Sequence, residues 1–525
     1  MEVNELYRSD EFLSSWNGVD IDLAGVEIVR QPFRCYALDK FVVSAADSPD
    51  HLLFERTRAE AESLPLAEKN NDLYQFKQSD DLKNLDADSF PNLCQIRDLI
   101  SGPVRDWLSR LTGLALSESV AVTVSRYDYT DVLLCHDDEL EQRRIAFVLY
   151  LTKEWSSKDG GLLHLFESDQ EGYPSQISHE LCPAENRLML FEVTARSWHQ
   201  VSEVLAEDKA RLSINGWFLG QPLPRPQLQP LPTLPWMNAG FIQYEEFMSW
   251  INPNYLLEEN QAKISDKFAE ESQLELSSFL NQEKYAAVME QLAADNLKWS
   301  VAGPANKRHF NSAVQSSIAE DSPLGVCVRL FQSEAMFVLL AQLTGASLHS
   351  LPDQKTEPES ESQPKGAVGC GEAGDGLEES PAKKPRTENG DQPDSSSNGH
   401  QSQAPPPAND SYQGRYRMQV RRFKHGDYSM VDDESAEERF CLDAQMLFYT
   451  DNEWDTTHGG FTCYVAKEEE EELLTVVPKS NSLALVYREP DTMPFVKIIN
   501  HSATKTLKEV RFCDISVSYT SDELC

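Results

Sequence analysis

The chain has 525 residues, with 47 Lys and Arg against 86 Asp and Glu, a formal net charge of −39 and 40% apolar residues. That length suits roughly three or four average domains or two large β-rich ones, so a single small module is excluded. The acidic balance argues against direct nucleic-acid or anionic-membrane binding, which needs clustered Lys and Arg, and favours a basic macromolecular partner.

The segment Met1-Glu2-Val3-Asn4-Glu5 has neither a basic nor an apolar leader region, and no run approaches the length of a membrane span. Ten cysteines are scattered without a Cys-x-x-Cys pair, which fits neither a disulfide framework nor a structural zinc site. A soluble protein of a reducing compartment is expected.

The first periodic segment lies between Leu93 and Leu111, where Ile96, Ile100, Val104, Trp107 and Leu111 recur at helical intervals. From Val120 the pattern shifts to short apolar or alternating runs: Val120 to Val124, Ile145 to Leu151, Leu162 to Phe166, Leu188 to Val193 and Arg211 to Phe218. Many short strands after helices predict a mainly β, α+β chain built on a sandwich or barrel. The run from Gln221 to Pro235 is Pro-rich and propagates neither helix nor central strand, so it reads as an interdomain strap. A second helical stretch covers Met336 to Leu343. The tract at about 352–413 is rich in Ser, Glu, Gly, Pro and Gln and cannot bury enough apolar surface to offset its ordering entropy; disorder is expected there. Within it, Lys383-Lys384-Pro385-Arg386 matches the core of a nuclear localisation signal and equally reads as a solvated basic patch.

Sliding the chain against itself exposes a repeat. Leu111-Thr112-Gly113 returns as Leu343-Thr344-Gly345, and Glu154-Trp155 with Gly160-Gly161 returns as Glu453-Trp454 with Gly459-Gly460. Pro183 to Phe191 aligns with Pro478 to Val486 without a gap. The expected division is residues 1–220 as a first copy, 221–236 as the Pro-rich linker, and 237–525 as a second copy interrupted by the insertion.

The chemistry concentrates in copy one. His136-Asp137-Asp138 precedes one strand and His199 lies 63 residues after His136, followed by Arg211 and Ser213. Two His and one carboxylate form a facial set that leaves positions open on Fe(II). In an extended segment residues i and i+2 share a side, which selects Asp138 over Asp137. Arg211 suits the far carboxylate of 2-oxoglutarate because guanidinium is rigid, always charged and bidentate. Ser213 shares its strand face and either adds a donor to that carboxylate or is a polar interior residue. Trp155, Trp198 and Trp217 either shape a substrate pocket or pack in the core, and packing is the simpler reading.

Asn71 to Leu82, Ser125-Arg126-Tyr127, Cys135 to Leu140, Gly160 to Leu163, Ser197 to Val201 and Arg211 to Phe218 together resemble the ribosomal prolyl 3-hydroxylases. The resemblance spans nearly the whole chain. It implies two tandem double-stranded β-helix (jelly-roll or cupin-like) domains, the first catalytic and the second not. It implies Fe(II) on His136, Asp138 and His199, 2-oxoglutarate on Arg211 with Tyr127 and Tyr150 beside it, O2 as co-substrate and ascorbate as reductant. The implied substrate is a proline of the basic small-subunit ribosomal protein at the decoding centre. Effects on translation and stress granules, and residence in nucleus and cytoplasm, follow from the same resemblance. A noncatalytic translation scaffold, or an oxygenase acting on another protein residue, remain the alternatives.

Copy two lacks the set. Aligning Arg126 with Arg422 and Asp131 with Asp427 puts Asp432 at the place of His136, Glu434 at that of Asp138, and Pro494 at that of His199. Setting Arg511 opposite Arg211 needs about five inserted residues and would bring His501 toward the site.

Overall fold

The computed structural model describes residues 1–44, 50–140, 142–294, 297–349, 414–432, 439–450, 454–467, 472–507 and 511–524. The insertion at about 352–413, its Lys383-Lys384-Pro385-Arg386 motif, Glu434 and Glu453 lie outside these residues.

The first periodic stretch folds as helix over Pro91–Leu99, a widened turn over Ile100–Val104, and helix again over Arg105–Thr112. The interruption falls on Pro103, which lacks the N–H that would continue the ladder. The predicted stripe of Ile96, Ile100, Val104, Trp107 and Leu111 is buried, and the Trp107 indole N–H donates to the Tyr7 carbonyl at 2.8 Å. Its counterpart, Glu334–Thr344, starts at Ser333, whose hydroxyl accepts from the Met336 N–H. Both helices stop at the repeated glycine, with φ of +73° at Gly113 and +71° at Gly345. That left-handed backbone needs no Cβ and frees the amide to cap a carbonyl of the last turn.

Each copy contributes eight strands around its interior. In copy one these are β1 (Leu116–Tyr127), β2 (Val132–His136), β3 (Arg143–Tyr150), β4 (Leu163–Ser168), β5 (Pro174–Leu181), β6 (Leu188–Glu192), β7 (His199–Val201) and β8 (Arg211–Gly220). In copy two they are β9 (Arg415–Lys424), β10 (Tyr428–Ser429), β11 (Cys441–Phe448), β12 (Thr462–Ala466), β13 (Glu472–Val476), β14 (Ser482–Arg488), β15 (Thr492–Val496) and β16 (Arg511–Thr520). The antiparallel pairings of copy one are β1·β8, β8·β3, β3·β6, β5·β4, β4·β7 and β7·β2. Copy two repeats every one of them as β9·β16, β16·β11, β11·β14, β13·β12, β12·β15 and β15·β10. Two curled antiparallel sheets result, with helices against their outer faces in a mixed α/β chain.

The repeat extends to individual hydrogen bonds. Asn186 and Asn481 both have positive φ. Each clamps an upstream segment with side-chain and carbonyl bonds, Asn186 to Phe41 and Val42 and Asn481 to Phe279 and Leu280. Asp131 accepts from the Asp128 N–H at 2.8 Å, as Asp427 accepts from the Lys424 N–H at 3.0 Å. The two glycine pairs have one cause: a Cβ on Gly160 would sit 2.0 Å from the Glu203 carbonyl oxygen, and one on Gly459 would sit 1.8 Å from that of Ile498.

Both copies belong to one compact unit, Met1–His349 with Gln413–Cys525. Leu73, Val132 and Leu134 pack against Tyr428, Met430 and Ile498. Glu203 accepts from His425 Nε2 at 2.8 Å and from the His501 N–H at 2.5 Å. Residues 221–236 carry no helix or strand, yet Arg225 of this strap pairs with Asp137 at 2.8 Å and Glu139 at 2.7 Å.

Candidate active site

His136 ends β2 and His199 opens β7, and the antiparallel register sets them directly opposite each other, ring centroids 4.3 Å apart. His136 Nδ1–H donates to the Leu134 carbonyl at 2.8 Å and His199 Nδ1–H to the Ser197 carbonyl at 2.7 Å. With Nδ1 protonated, each Nε2 presents a lone pair inward. Both Nε2 atoms lie 3.5 Å from an Asp138 carboxylate oxygen, and a donor atom from each of the three residues falls within 4.8 Å of the others.

Asp138 reaches this position by a different route from the one its spacing suggested. β2 stops at His136, and Asp138 has a φ of +64°, so a left-handed turn swings its carboxylate back between the imidazoles. Among L-residues Asp tolerates that backbone comparatively well. Asp137 is held away on Arg225.

The electrostatics suit a cation. Burial works against ionisation of Asp138, but the two imidazoles more than offset it and hold the carboxyl well below its ordinary range. Burial together with the adjacent His136 pushes His199 down to about 4. Burial also acts to depress His136, where the Asp138 carboxylate prevails and raises it. A deprotonated carboxylate facing a neutral imidazole and a second imidazole that gives up its proton is the donor set that Fe(II) requires.

Arg211, at the start of β8, is only 2% exposed. Its Nε–H donates to the Gly161 carbonyl at 2.8 Å and its Nη2 to the Tyr150 hydroxyl at 3.1 Å, and its guanidinium sits 4.9 Å from the ring centres of both Tyr127 and Tyr150. No carboxylate among the described residues pairs with it. A buried guanidinium without a counter-charge is costly unless an anion completes the site, so the donors present fit one end of a dicarboxylate. Burial raises both phenols, keeping them protonated. Tyr127 stacks on Phe76 at 4.7 Å, while Tyr150 donates to the Met189 sulfur at 3.5 Å.

His136, Asp138, His199, Arg211, Tyr127 and Ser213 all line one chamber of about 100 Å³, and Tyr150 stands behind Arg211. Ser213 lies between Ser125 and Tyr150 in the sheet, and its hydroxyl lies 3.3 Å from Asn215 Oδ1.

Of the three tryptophans, Trp155 and Trp198 are packing residues whose indole N–H groups bond the Gly160 and Gly172 carbonyls. Trp217 instead lines the chamber beside Asp138, whose carboxylate its side chain helps to keep ionised. Strand parity could have found it, because residues 211, 213, 215 and 217 share one face. Arg143, stacked 3.5 Å over the Trp217 ring and 3.6 Å from Asp138, gave no signal in the sequence.

The sheet register fixes what stands at each place in copy two. Ser429 pairs with Val496 as Leu133 pairs with Val201, and counting on from it puts Asp432, beyond the strand, at the place of His136, where it forms ion pairs with Lys307 and Arg308. Pro494 pairs with Tyr464 as His199 pairs with Leu165. The pairing of Arg511 with Arg211 needs correction: Tyr127 faces Arg211 and its counterpart Phe423 faces Phe512, so Phe512 holds the place of Arg211 and Arg511 falls one residue outside. The extra residues follow Ile499 and form the short helix Ser502–Thr506, which leaves His501 on the contact with copy one, 3.1 Å from the Tyr129 hydroxyl.

A family model described as "2OG-Fe(II) oxygenase superfamily" matches residues 122–219, and one described as "Oxoglutarate and iron-dependent oxygenase degradation C-term" matches 243–524. The chain is 41% identical over 492 residues to prolyl 3-hydroxylase OGFOD1 of Mus musculus, covering 92% of this chain and 87% of the relative. It is 39% identical to the Xenopus laevis protein of the same name, covering 89% of this chain and 84% of that one. A Pseudomonas putida prolyl-4-hydroxylase structure aligns at 20% identity and a TM-score of 0.28, over 36% of this chain and 93% of that one.

Proposed function

This chain belongs to the prolyl 3-hydroxylase family of Fe(II)- and 2-oxoglutarate-dependent dioxygenases, and we propose that copy one hydroxylates C3 of a prolyl residue in a basic small-subunit ribosomal protein. The observation that carries the reading is the shared chamber: three metal donors converge at one side, and a buried guanidinium with no carboxylate partner among the described residues stands at another. His136, Asp138 and His199 hold Fe(II). Arg211 binds the distal carboxylate of 2-oxoglutarate, with Tyr127 and Tyr150 fixing the guanidinium plane and Ser213 adding a donor. The bound iron supplies O2 activation coupled to oxidative decarboxylation of 2-oxoglutarate, giving succinate and CO2. The protein orients the donors through the Leu134 and Ser197 carbonyls, excludes water with the aromatic walls, and receives the prolyl ring in the cavity that the metal trio and Trp217 line.

Each copy is a double-stranded β-helix. The identical pairings support that reading, as does Met237, the first residue of 237–525, by pairing with β9. The domain limits are 1–220 and 237–525, joined by 221–236. Copy two is noncatalytic and serves assembly or docking. The net charge of −39 favours a basic client through long-range steering that weakens with salt. The enzyme works in nucleus and cytoplasm, including stress granules, with ascorbate keeping the iron reduced.

The test combines anaerobic titration of Fe(II) and 2-oxoglutarate into the wild type and His136→Ala with aerobic succinate release, with and without a peptide from the decoding-centre ribosomal protein. Peptide-stimulated succinate and one added oxygen on proline, both absent in the variant, are expected. Turnover without peptide oxidation would discard the substrate, and absence of metal-dependent turnover would favour a scaffold.

A further inference from the structure

Copy two encloses a chamber of its own, whose wall includes Arg421, paired with Asp514, and Arg488, paired with Asp443. What copy two offers the reaction lies instead in its contact with copy one. It grips copy one at two places, and each stands one layer behind Arg211.

The first grip is on the hairpin of Ala67–Asn70 and Tyr74–Gln78, which carries Phe76 and Gln78 into the wall of the active-site chamber. Its turn is tight, with Asn71 Oδ1 accepting from the Leu73 and Tyr74 N–H groups. Lys497, buried just beyond β15, directs its ammonium donors at this turn: at Asn70 Oδ1 at 2.5 Å, at the Asn71 carbonyl, and at the Tyr74 carbonyl at 3.4 Å. The Val431 N–H of copy two donates to Asp72 at 2.9 Å. Two residues past Tyr74, Phe76 stacks on Tyr127, the ring that faces the Arg211 guanidinium. The lysine is particular to copy two. Pro494 holds the place of His199, so Lys497 holds that of Ser202, whose hydroxyl accepts from the Leu162 N–H within copy one.

The second grip is on Glu203, whose carboxylate accepts from His425 Nε2 and the His501 N–H. The Glu203 carbonyl accepts from the Gly161 N–H at 3.0 Å, and the Gly161 carbonyl accepts from Arg211 Nε at 2.8 Å. Gly161 and Arg211 are packed so closely that a Cβ on Gly161 would stand 2.9 Å from Arg211 Cδ. A shift of the Glu203 loop therefore reaches the guanidinium directly. Of the groups that fix Arg211, Tyr150 belongs to the core of copy one, whereas Tyr127 and Gly161 are each backed by a segment that copy two holds.

We propose that copy two positions the 2-oxoglutarate pocket of copy one, with Lys497 and His425 as positioning residues that set the affinity for the co-substrate through Tyr127 and Gly161. The proposal rests on Arg211 receiving the distal carboxylate of 2-oxoglutarate.

The test measures 2-oxoglutarate binding by anaerobic calorimetry on the Fe(II)-loaded full-length chain, beside steady-state succinate release and hydrogen exchange of the ligand-free protein. Lys497→Met is expected to weaken 2-oxoglutarate binding and raise its KM about 3- to 10-fold, with kcat at saturating co-substrate within about twofold of wild type. Amides of Ala67–Gln78 should exchange faster in that variant with no ligand present. His425→Ala should raise the same KM about 2- to 5-fold, and His425→Gln, which keeps an N–H for Glu203, should restore it. Phe76→Leu checks the route: in that background Lys497→Met should add little to the KM, while His425→Ala adds its full effect. If Lys497→Met does not fold, Asn70→Ala removes one of its acceptors from an exposed strand and should raise the KM about two- to threefold. Unchanged affinity and KM in Lys497→Met, or in Asn70→Ala in its place, and in His425→Ala overturns the proposal, as does a loss confined to kcat. Undiminished 2-oxoglutarate binding in Arg211→Met would instead overturn the reading of the pocket on which it rests.

Discussion

Two chambers built on the same strand pairings have taken opposite solutions to burying charge. Copy one keeps a buried guanidinium, Arg211, with no carboxylate partner among the described residues and three metal donors bent toward one point. Copy two fills the Arg211 place with Phe512 and pairs its interior arginines with Asp514 and Asp443. Unsatisfied charge marks the first site as one that waits for ligands. Internal pairing lets the second wall stand by itself. A shared fold therefore says little about shared chemistry, and the side chains at equivalent registers decide it.

The comparison is broken most directly at the metal donors. Asp138→Ala should reduce succinate release more than about 100-fold, beyond the 10- to 100-fold typical of outer-shell changes. Asp432→His in copy two should give no turnover in an Asp138→Ala background, because Pro494 and Phe512 remain. Iron content and peptide-coupled succinate read out both; activity restored by Asp432→His would contradict the assignment of copy two as noncatalytic.

Arg211 and Phe512 share a register and should fail differently. Arg211→Met should raise the KM for 2-oxoglutarate about 10- to 100-fold, since charged hydrogen bonds contribute about 1.5–3 kcal/mol each. Phe512→Ala should leave that KM unchanged and cost about 3–5 kcal/mol of stability by opening a core cavity. Steady-state kinetics beside denaturant unfolding separate the two, and a KM shift in Phe512→Ala would mean the copies are coupled.

Asp514→Ala strands Arg421 in the interior and should cost about 3–5 kcal/mol. Ser213→Ala at the equivalent place should cost only about 0.5–1.5 kcal/mol. Equal losses in unfolding experiments would argue that Ser213 is as structural as Asp514. The smallest effect is expected at Arg225→Ala, which releases Asp137 and should lower turnover by up to about tenfold with an unchanged melting temperature. Unaltered kinetics would show that the strap has no part in ordering the metal loop.

Much of this was legible in the residues. The repeat was visible because its punctuation is local chemistry: Gly113 and Gly345 end helices, Asn186 and Asn481 turn the chain, and Gly160 and Gly459 admit a carbonyl too close for any Cβ. Asp138 was selected by strand parity, although the structure brings it in by a left-handed turn. Arg143 was invisible, since nothing local tells that it stacks on a residue 74 positions away.

The sequence by itself determined the residue types and spacings of the metal donors, the arginine on the same strand face as Ser213 and Trp217, and the duplication with its loss of both imidazoles. Only the tertiary structure decided which imidazole nitrogens turn inward, that no carboxylate among the described residues pairs with Arg211, that Phe512 rather than Arg511 answers it, and that copy two pairs its interior arginines with Asp514 and Asp443. The physical reason is register. A one-residue slip moves every side chain to the other face of a strand, and the register is set by pairings between segments far apart in the chain.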